Sequence, residues 1–411
     1  MSDAGEQTAM PSSLIGHPGL LGFVGSRSLS ALGFQIQAVA IGWQAYGMTH
    51  RPLTLGLIGL AQFLPMLLLV FVSGHVADRF DRKRVAMACQ GVEALCGLVL
   101  AWCTFRHLLN PLAIYAVVAV FGAAKAFEGP SLQALLPSLV PPALFSRAAA
   151  LNASVFQTAT IIGPSAGGLL TLAGPGIAYL ICALMFVLSL AAMGLVRLEQ
   201  PPRPRGPVSL ATVFGGLAFI RSRPQILGAI SLDLFAVLLG GATALLPVYA
   251  LDILHGSPFA LGLLRGSPAI GAVAMSVLLA RWPIRGRAGP LMFAAVIVFG
   301  IATIVFGLSR SLPLSIAAMA VLGAADVVSV VVRTTLVQLN TPEEMRGRVS
   351  AVNLLFIVTS NQLGEFESGS VAALIGTTPA VVVGGIGTLV IALAWMRLFP
   401  SLRRLDRLEA G

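Results

Sequence analysis

Charged side chains are so scarce in this sequence that most of the folded surface has to face something other than water. Only 10% of the 411 residues are charged, whereas 57% are hydrophobic. The surface of a soluble domain is roughly 25–35% charged, and a chain of this length would ordinarily form two or three such domains. This chain cannot cover so much surface with charge, so we expect most of its exterior to contact lipid.

Apolar stretches long enough to cross a bilayer recur along the whole chain. About 20 apolar residues span the hydrocarbon core as a helix, and short polar breaks separate such stretches here. The pattern predicts an all-α membrane protein with twelve transmembrane helices. The predicted helices are Leu14–Tyr46, Thr54–Ala77, Val85–Phe105, Pro111–Leu136, Leu144–Leu172, Pro175–Val196, Gln225–Leu251, Pro258–Ala280, Pro290–Leu308, Leu312–Gln338, Arg348–Ile375 and Pro379–Phe399.

The distribution of basic residues predicts the orientation of these helices. Cytoplasmic loops of membrane proteins are enriched in Lys and Arg. Of the 26 basic residues, 19 fall in alternate loops and termini on one side, and only Arg51, Arg106 and Arg310 fall in the opposite loops. We therefore expect both termini to be cytoplasmic. The net charge of +10 is explained by this topology signal and does not indicate nucleic-acid binding, because the basic residues are dispersed in short loops.

One long polar break divides the chain into two halves. Residues 199–223 contain four prolines and four arginines and are predicted to form a cytoplasmic linker; their second part, Val208 to Ile220, is expected to lie along the membrane surface. Residues 1–198 and 224–411 would then be two six-helix bundles, the second ending in a short cytoplasmic tail.

The two halves resemble each other in sequence. A shift of 201 positions aligns Gly168 with Gly369, and a shift of 206 positions aligns Gly56 with Gly262, among other matches. Parallel repeats of six helices, related by an axis along the membrane normal, are a recurring transporter architecture. The predicted fold is therefore two pseudo-symmetric bundles.

The sequence carries no signature of catalysis or of a bound cofactor. There is no Gly-x-x-x-x-Gly-Lys-Ser/Thr segment for ATP, and the five histidines all fall at helix ends or in loops. Cys89, Cys96 and Cys103 repeat every seven residues on one helix face, which indicates packing and not a metal tetrad. We predict a protein that is not an enzyme, has no cofactor or metal, and moves solutes at the expense of a gradient.

Ionised side chains inside the apolar stretches indicate where solutes pass. A charge at the bilayer centre costs about 2.5–3.5 kcal/mol on insertion scales, so such residues usually face a partner or a wet cavity. The candidates for the substrate and proton pathway are Arg27, Lys125, Glu128, Asp233, Arg265, Asp326, Arg333, Glu365 and Glu367, and Glu93 is a further intramembrane acid.

The repeat registers combine four of these charges into two pairs. Arg27 falls at the position of Asp233, and Lys125 falls at the position of Asp326. Residues related by the symmetry axis face one another if they point inward, so each acid is expected to meet its base across the midline. We interpret the pairs as contacts in a central cavity that break and re-form as the halves rock. The alternative is a static structural pair or a side chain that snorkels to a helix end.

Acids on the fourth and eleventh predicted helices favour coupling to protons. Lys125 and Glu128 are three residues apart and therefore share a helix face, while Glu365 and Glu367 point to different faces of a glycine-flanked stretch. A desolvated carboxyl group can carry a proton. Proton coupling is the prediction, and facilitated or otherwise coupled movement is the alternative.

The loop between the second and third helices resembles a family signature. The segment from Gly74 to Arg84 is similar to the Gly-x-x-x-Asp-Arg-x-Gly-Arg-Arg motif of the major facilitator superfamily, except that Asp81 replaces the second glycine. In that family the motif latches the cytoplasmic ends of the two halves together; the alternative is a loop that only sets topology. The resemblance implies that the gating residues are Gly74, Asp78, Arg79 and Arg82.

A second motif resembles exporters of the same superfamily. Residues Gly163, Pro164, Gly167 and Gly168 match a Gly-Pro-x-x-Gly-Gly pattern in the fifth helix, although such runs also arise from close helix packing alone. The segments Leu245–Ala250 and Thr341–Val349 look like the branch that contains bacterial enterobactin exporters.

The resemblance implies a monomeric alternating-access exporter in the bacterial inner membrane. Its expected partners are a small amphipathic molecule such as a siderophore, protons and the lipid bilayer, with no nucleic acid. Efflux of drugs or macrolides is the main alternative. Uptake and a non-transporting sensor or assembly factor are further alternatives.

Overall fold

The computed structural model describes residues 17–197, 210–284 and 286–406. All regular elements in these ranges are helical. The long helices of the first half are α1 (Pro18–Thr49), α2 (Pro52–Arg79), α3 (Arg82–Phe105), α4 (Pro111–Leu135), α5 (Phe145–Leu172) and α6 (Pro175–Gly194). They are followed by α7 (Leu210–Ser222), α8 (Pro224–Leu239), short α9 (Leu246–Val248), α10 (Pro258–Arg281), α11 (Ala288–Leu308), α12 (Leu312–Leu339), α13 (Glu343–Ile375), α14 (Thr377–Leu398) and short α15 (Pro400–Arg403).

The lengths and compositions of these helices confirm a multi-span membrane protein. Within the described ranges, 10 helical segments are long and apolar enough to cross a bilayer. The two remaining long helices are α1 with 32 residues and α13 with 33 residues, and both carry more polar side chains. These two occupy the other two predicted positions, so ten of the twelve predicted spans are confirmed.

Local sequence explains where the helices begin. Proline occupies the first turn of α1, α2, α4, α6, α8 and α10, where its missing N–H is not needed. Asp81 caps α3 by accepting hydrogen bonds from the backbone N–H groups of Lys83 and Arg84, so the residue that departs from the family signature has a structural role as an N-cap.

The seventh predicted helix, Gln225–Leu251, is interrupted in the structure. Helix α8 ends at Leu239, and the chain continues through a 3-10 turn, α9 and a π-helical turn at Tyr249–Ile253. Gly240 and Gly241 lie at the break, and a Cβ atom on Gly241 would be 3.0 Å from the carbonyl carbon of Gly364 in α13. The break therefore allows the backbones of α13 and of the interrupted segment to approach closely.

The two halves use the same packing pattern. In the first half α1 packs on α5 and α6, α2 on α4, and α3 on α6; in the second half α10 packs on α12 and α11 on α14. Residues 198–209, which include the first 11 of the 25 residues of the predicted linker, lie outside the described ranges, as do residues 1–16 and 407–411. Helix α7 packs on α8 and α13, and its Ile220 is fully buried.

Two glycine contacts join the halves. A Cβ atom on Gly168 of α5 would lie 3.1 Å from the Cα atom of Gly262 in α10, and one on Gly369 of α13 would lie 2.8 Å from the Cα atom of Gly56 in α2. In the two registers found in the sequence, Gly168 corresponds to Gly369 and Gly56 corresponds to Gly262. The pseudo-symmetry of the halves therefore relates one glycine contact to the other. Both contacts lie toward the end where α1 passes into α2, which is the predicted periplasmic end.

A polar contact joins the halves at the same end. The hydroxyl group of Tyr46, near the end of α1, donates a hydrogen bond to Asp252 in the π-helical turn. His50 Nδ1 lies 3.8 Å from Asp252 Oδ1. Because Tyr46 and Asp252 belong to opposite halves, this contact can hold only while the halves are closed at the predicted periplasmic end.

Candidate transport site

A cavity of about 350 Å³ lies between the halves at the middle of the long helices. Its walls include Gln157 and Thr160 of α5, whereas most of the other lining residues belong to the second half. The two charged lining residues are Asp326 of α12 and Glu365 of α13. The cavity therefore presents two carboxylates and several neutral polar groups against an otherwise apolar wall.

Small residues bring the helices around the cavity close together. Gly323 of α12 faces the backbone of Pro268 in α10, and Gly271 of α10 faces the backbone of Ala320, with no room for a side chain at either glycine. This packing fixes α12 beside α10 and places Asp326, almost one turn after Gly323, at the cavity wall. The break at Gly240 and Gly241 adds backbone to the same wall.

Asp326 is one of the two charged groups that line the cavity. Among the described residues, no hydrogen bond or ion pair to its carboxylate occurs. Its electrostatic neighbours are Asp233 and Arg333, which form an ion pair with each other. The free carboxylate of Asp326 is thus available to a solute or a proton.

Asp233 of α8 and Arg333 of α12 form a buried ion pair. Arg333 Nη1 donates to Asp233 Oδ2 at 2.5 Å, and the side chains are 3% and 7% exposed, respectively. A space of about 10 Å³ between Asp233, Asp326 and Ser329 is about large enough for one water molecule. Arg333 is therefore paired with Asp233, and Asp326 is left beside the cavity without an ion-pair partner among the described residues.

Glu365 lies where α13 meets α2. Its Oε2 would be 2.8 Å from a Cβ atom on Gly59, so the carboxylate rests against the backbone of the opposite half. Arg265 of α10 is the opposite charge that attracts it. This pair is composed of two predicted pathway residues, and it lies at the inter-half interface.

A second charged cluster is buried inside the first half. Lys125 Nζ lies 2.5 Å from Glu128 Oε2 and 3.1 Å from Glu93 Oε1. Ser30 of α1 donates to Glu128 Oε1 at 3.0 Å, and the ammonium group faces three aromatic rings within 5.8 Å of their centroids. Both Glu93 oxygens are buried without a hydrogen bond in the described part of the chain; the 3.1 Å contact is an ion pair only.

The remaining predicted pathway residues lie away from the cavity. Arg27 stacks on Phe156 of α5 at 5.2 Å and attracts Glu128. Glu367 is half-buried, and its Oε2 accepts a hydrogen bond of 3.4 Å from Ser368. Neither residue lines the 350 Å³ cavity.

The predicted pairing across the midline is wrong for this conformation. Lys125 contacts Glu128 and Glu93 instead of Asp326, and Asp233 contacts Arg333 instead of Arg27. The physical reason is distance: each half contains its own partner within hydrogen-bonding reach, and a buried charge is stabilised by the nearest such partner. The sequence did not predict a partner for Glu93 of α3, because neither repeat register relates residues of α3 to residues of α4.

The helix 5 motif lies between two other helices. A Cβ atom on Gly167 would be 2.9 Å from Ile36 Cα of α1, and one on Gly168 would be 2.9 Å from Phe259 Cα of α10. Gly163 faces Gln35, and Pro164 contributes its carbonyl group to the contact with Gly262. The motif therefore packs on both the partner helix in its own half and the opposite half.

The predicted gating motif is only partly described. The surroundings of Gly74 and the side chain of Asp78 lie outside what the structure describes. Arg79 is exposed, and Arg82, at the start of α3, is buried and donates to the carbonyl group of Ala134 at 3.4 Å. The role of the motif in gating stays a prediction.

Sequence reasoning missed several uncharged polar residues of the cavity. Gln157, Thr160, Thr243 and Asn361 all line it. Their signal in the sequence is a polar side chain inside an otherwise apolar helix. Ser and Thr throughout the bundle also hydrogen-bond to their own helix, as Thr158 does to Ser154 and the cavity-lining Thr160 does to Phe156. Only the packing shows which of these side chains line the cavity.

Comparison with known proteins supports a transporter. The family described as transmembrane secretion effector matches residues 25–410. The enterobactin exporter EntS of Citrobacter koseri is 28% identical over 394 residues, covering 94% of this chain and 93% of the relative. The enterobactin exporter EntS of Shigella boydii serotype 18 is 27% identical with the same coverage.

Solved structures share the fold at low sequence identity. A bacterial homologue of the human lysosomal transporter Spinster, in an inward-facing and unoccupied conformation, has a TM-score of 0.74 and 16% identity over 94% of this chain and 98% of that chain. The POT family transporter PepTSo has a TM-score of 0.71 and 12% identity over 94% of this chain and 98% of that chain. The match to the family over nearly the whole chain, together with this fold, shows that the protein belongs to the transmembrane secretion effector family of major facilitator transporters.

Proposed function

We propose that the protein is a proton-coupled exporter of small amphipathic molecules in the bacterial inner membrane, with both termini cytoplasmic. The observation that carries the proposal is the cavity between the halves, with the unpaired carboxylate of Asp326 at its wall. The exporters among its relatives and the helix 5 motif support the direction of transport.

The places where the halves touch support alternating access. The two glycine contacts and the Tyr46–Asp252 hydrogen bond lie on the predicted periplasmic side of the cavity. The arrangement corresponds to a state closed to the periplasm. Because these contacts rely on backbone approach and one hydrogen bond, they can separate as the halves rock while each half stays intact.

The charges beside the cavity support proton coupling. Arg333 pairs with Asp233 and no ion-pair partner of Asp326 occurs among the described residues, so a deprotonated Asp326 is an uncompensated negative charge. A proton or a cationic substrate neutralises that charge, and the two cannot occupy Asp326 together. Competition of this kind is sufficient for antiport. The substrate can bind at Asp326 only after the proton has left, and the proton can bind only after the substrate has left.

Inverted membrane vesicles test the proposal. With an acidic interior, enterobactin or the cationic dye ethidium is added, and proton release is recorded with a pH-sensitive fluorophore. We expect release for at least one substrate, and its loss in Asp326→Asn. The control Glu344→Gln changes an exposed acid at the start of α13 and should behave like the wild type. Substrate-independent proton flux, or full coupling in Asp326→Asn, would contradict the proposal.

The charges at the cavity favour a second candidate, efflux of cationic amphipathic compounds. An anionic siderophore would need cations at the cavity wall, yet none of the residues that line the cavity is basic, and Lys125 and Arg333 are held by carboxylates. The two charged lining residues are acids. Ethidium and enterobactin tested in the same vesicles separate the two substrate classes, and a deletion strain should become sensitive to cationic drugs if this candidate is right.

A further inference from the structure

We propose that a cleft between α11 and α14, at the predicted cytoplasmic end, binds the headgroup of an anionic phospholipid. The cleft has a volume of about 530 Å³ and lies outside the transport cavity. We call it the tail cleft, because the chain after α14 forms one of its sides. It is lined by Pro290, Phe293, Ala294, Ile297, Met396, Pro400, Arg403 and Arg404.

The walls of the tail cleft suit an acyl chain. Ala294 and Ile297 of α11 and Met396 of α14 present apolar surface to it, above the fully buried Phe293. The neighbouring side chains of both helices are large and exposed, including Leu291, which is 37% exposed, and Leu393, which is 57% exposed. In a membrane protein such exposed apolar side chains face lipid, so the cleft opens to the bilayer and not only to water.

Two arginines supply the charge for a phosphate group. Arg403 and Arg404 line the cleft and are exposed, and within the described ranges neither guanidinium group forms an ion pair or a hydrogen bond. Arginine recognises phosphate through paired N–H donors, and basic pockets between transmembrane helices on the cytoplasmic side bind anionic headgroups. A phosphodiester at the mouth of the cleft would meet both cations.

The tail is held in place by its own hydrogen bonds. The backbone N–H groups of Ala288 and Gly289 donate to the carbonyl groups of Asp406 and Leu405 at 3.1 and 2.9 Å. Leu402 is fully buried. The free N–H groups at the start of α11 thus anchor the chain that carries both arginines, which preorganises them beside the cleft.

The corresponding place in the first half is arranged differently. There α3 and α6 occupy the positions of α11 and α14, and Lys83 Nζ donates to the carbonyl groups of Gly194 and Val196 at 2.8 Å each. The basic group in that half is used internally. The unpaired arginines of the tail cleft are therefore not a requirement of the fold.

Native mass spectrometry of the protein released from nanodiscs tests the proposal. Nanodiscs contain phosphatidylcholine with a minor share of phosphatidylglycerol or cardiolipin. We expect the wild type to retain the anionic lipid. Arg403→Gln combined with Arg404→Gln should weaken retention by about five-fold per arginine, because one juxtamembrane basic residue strengthens binding to anionic lipid by about that factor. Ala294→Trp, which fills the cleft and keeps both charges, should also weaken retention.

Two further measurements serve as controls, and the second distinguishes a lipid headgroup from free phosphate. Arg397→Gln removes an exposed arginine of α14 that does not line the cleft, so retention should stay at the wild-type level. An excess of inorganic phosphate should not displace the lipid. The proposal is overturned if inorganic phosphate displaces the lipid completely, if Ala294→Trp retains lipid normally, or if Arg397→Gln loses as much as the double variant.

Discussion

Gly369→Ala should shift the protein towards a state open at the predicted periplasmic end. The new methyl carbon would lie 2.8 Å from the Cα atom and the backbone nitrogen of Gly56. Non-bonded carbon atoms are at their optimal separation at about 3.5–4.0 Å, so α2 and α13 have to move apart by about 1 Å. Both neighbouring atoms are backbone, so no side-chain rotation relieves the contact.

The size of the shift follows from the cost of overpacking. Extra methyl groups in a well-packed interface cost about 1–3 kcal/mol. That cost falls on the state in which the glycines touch, and the state in which the halves have separated at this end is unaffected. The ratio of the two populations should therefore change by about 5–150-fold.

Distances between spin labels at positions 51 and 255 measure this shift. Arg51 and His255 are exposed and belong to opposite halves at the predicted periplasmic end; the four native cysteines are replaced first. We expect a longer distance to gain population in Gly369→Ala and, because of the pseudo-symmetry, in Gly168→Ala.

Gly47→Ala is the matched control for this measurement. Gly47 lies at the same end of α1, and a Cβ atom there would meet nothing within 4 Å, so its distance distribution should equal that of the wild type. If Gly369→Ala also leaves the distribution unchanged while the variant folds normally, the glycine contacts do not control periplasmic closure.

Three further predictions follow from the ion pairs and from the contact at the predicted periplasmic end. Arg333→Gln should lower the free energy of unfolding by about 3–5 kcal/mol, because it leaves Asp233 buried and unpaired. Adding Asp233→Asn should restore much of the lost stability. Denaturant titrations of the protein in bicelles measure both effects. Lys125→Met should destabilise the first half more than Glu93→Gln, since it leaves two carboxylates without their shared ammonium group; equal losses would refute the shared pairing. Tyr46→Phe removes the hydrogen bond to Asp252 and should increase the population with the longer label distance, though less than Gly369→Ala.

The arrangement of the charged groups shows where sequence reasoning reached its limit. The apolar stretches identified Lys125, Asp233 and Asp326 as intramembrane charges, and the repeat registers suggested how they pair. The same registers relate the two glycine contacts to each other, although the sequence predicted neither contact. They did not identify the partners, because symmetry relates positions and not distances. Glu93 and Glu128 neutralise Lys125 from within its own half, and an alignment of the halves contains no information about contacts between α3 and α4.

The interrupted seventh helix has a similar explanation. Its residues are apolar enough to read as one continuous span, and Gly240, Gly241 and Pro247 are weak signals in a chain with 44 glycines and 25 prolines. The break becomes necessary only when α13 approaches within contact of Gly241. Local propensity could permit the interruption, but only the neighbouring helix made it favourable.

The sequence alone determined that this protein lies in a membrane, where its helices are and that its halves are related. Hydrophobicity, loop charge and internal repeats can all be read from the order of the residues, without knowledge of distances in the folded protein. Tertiary structure decided which charges are neutralised, which acid faces the cavity and which end of the bundle is closed. Those outcomes depend on distances of a few ångströms between helices far apart in the chain, since ion pairing and glycine contacts both weaken steeply with separation.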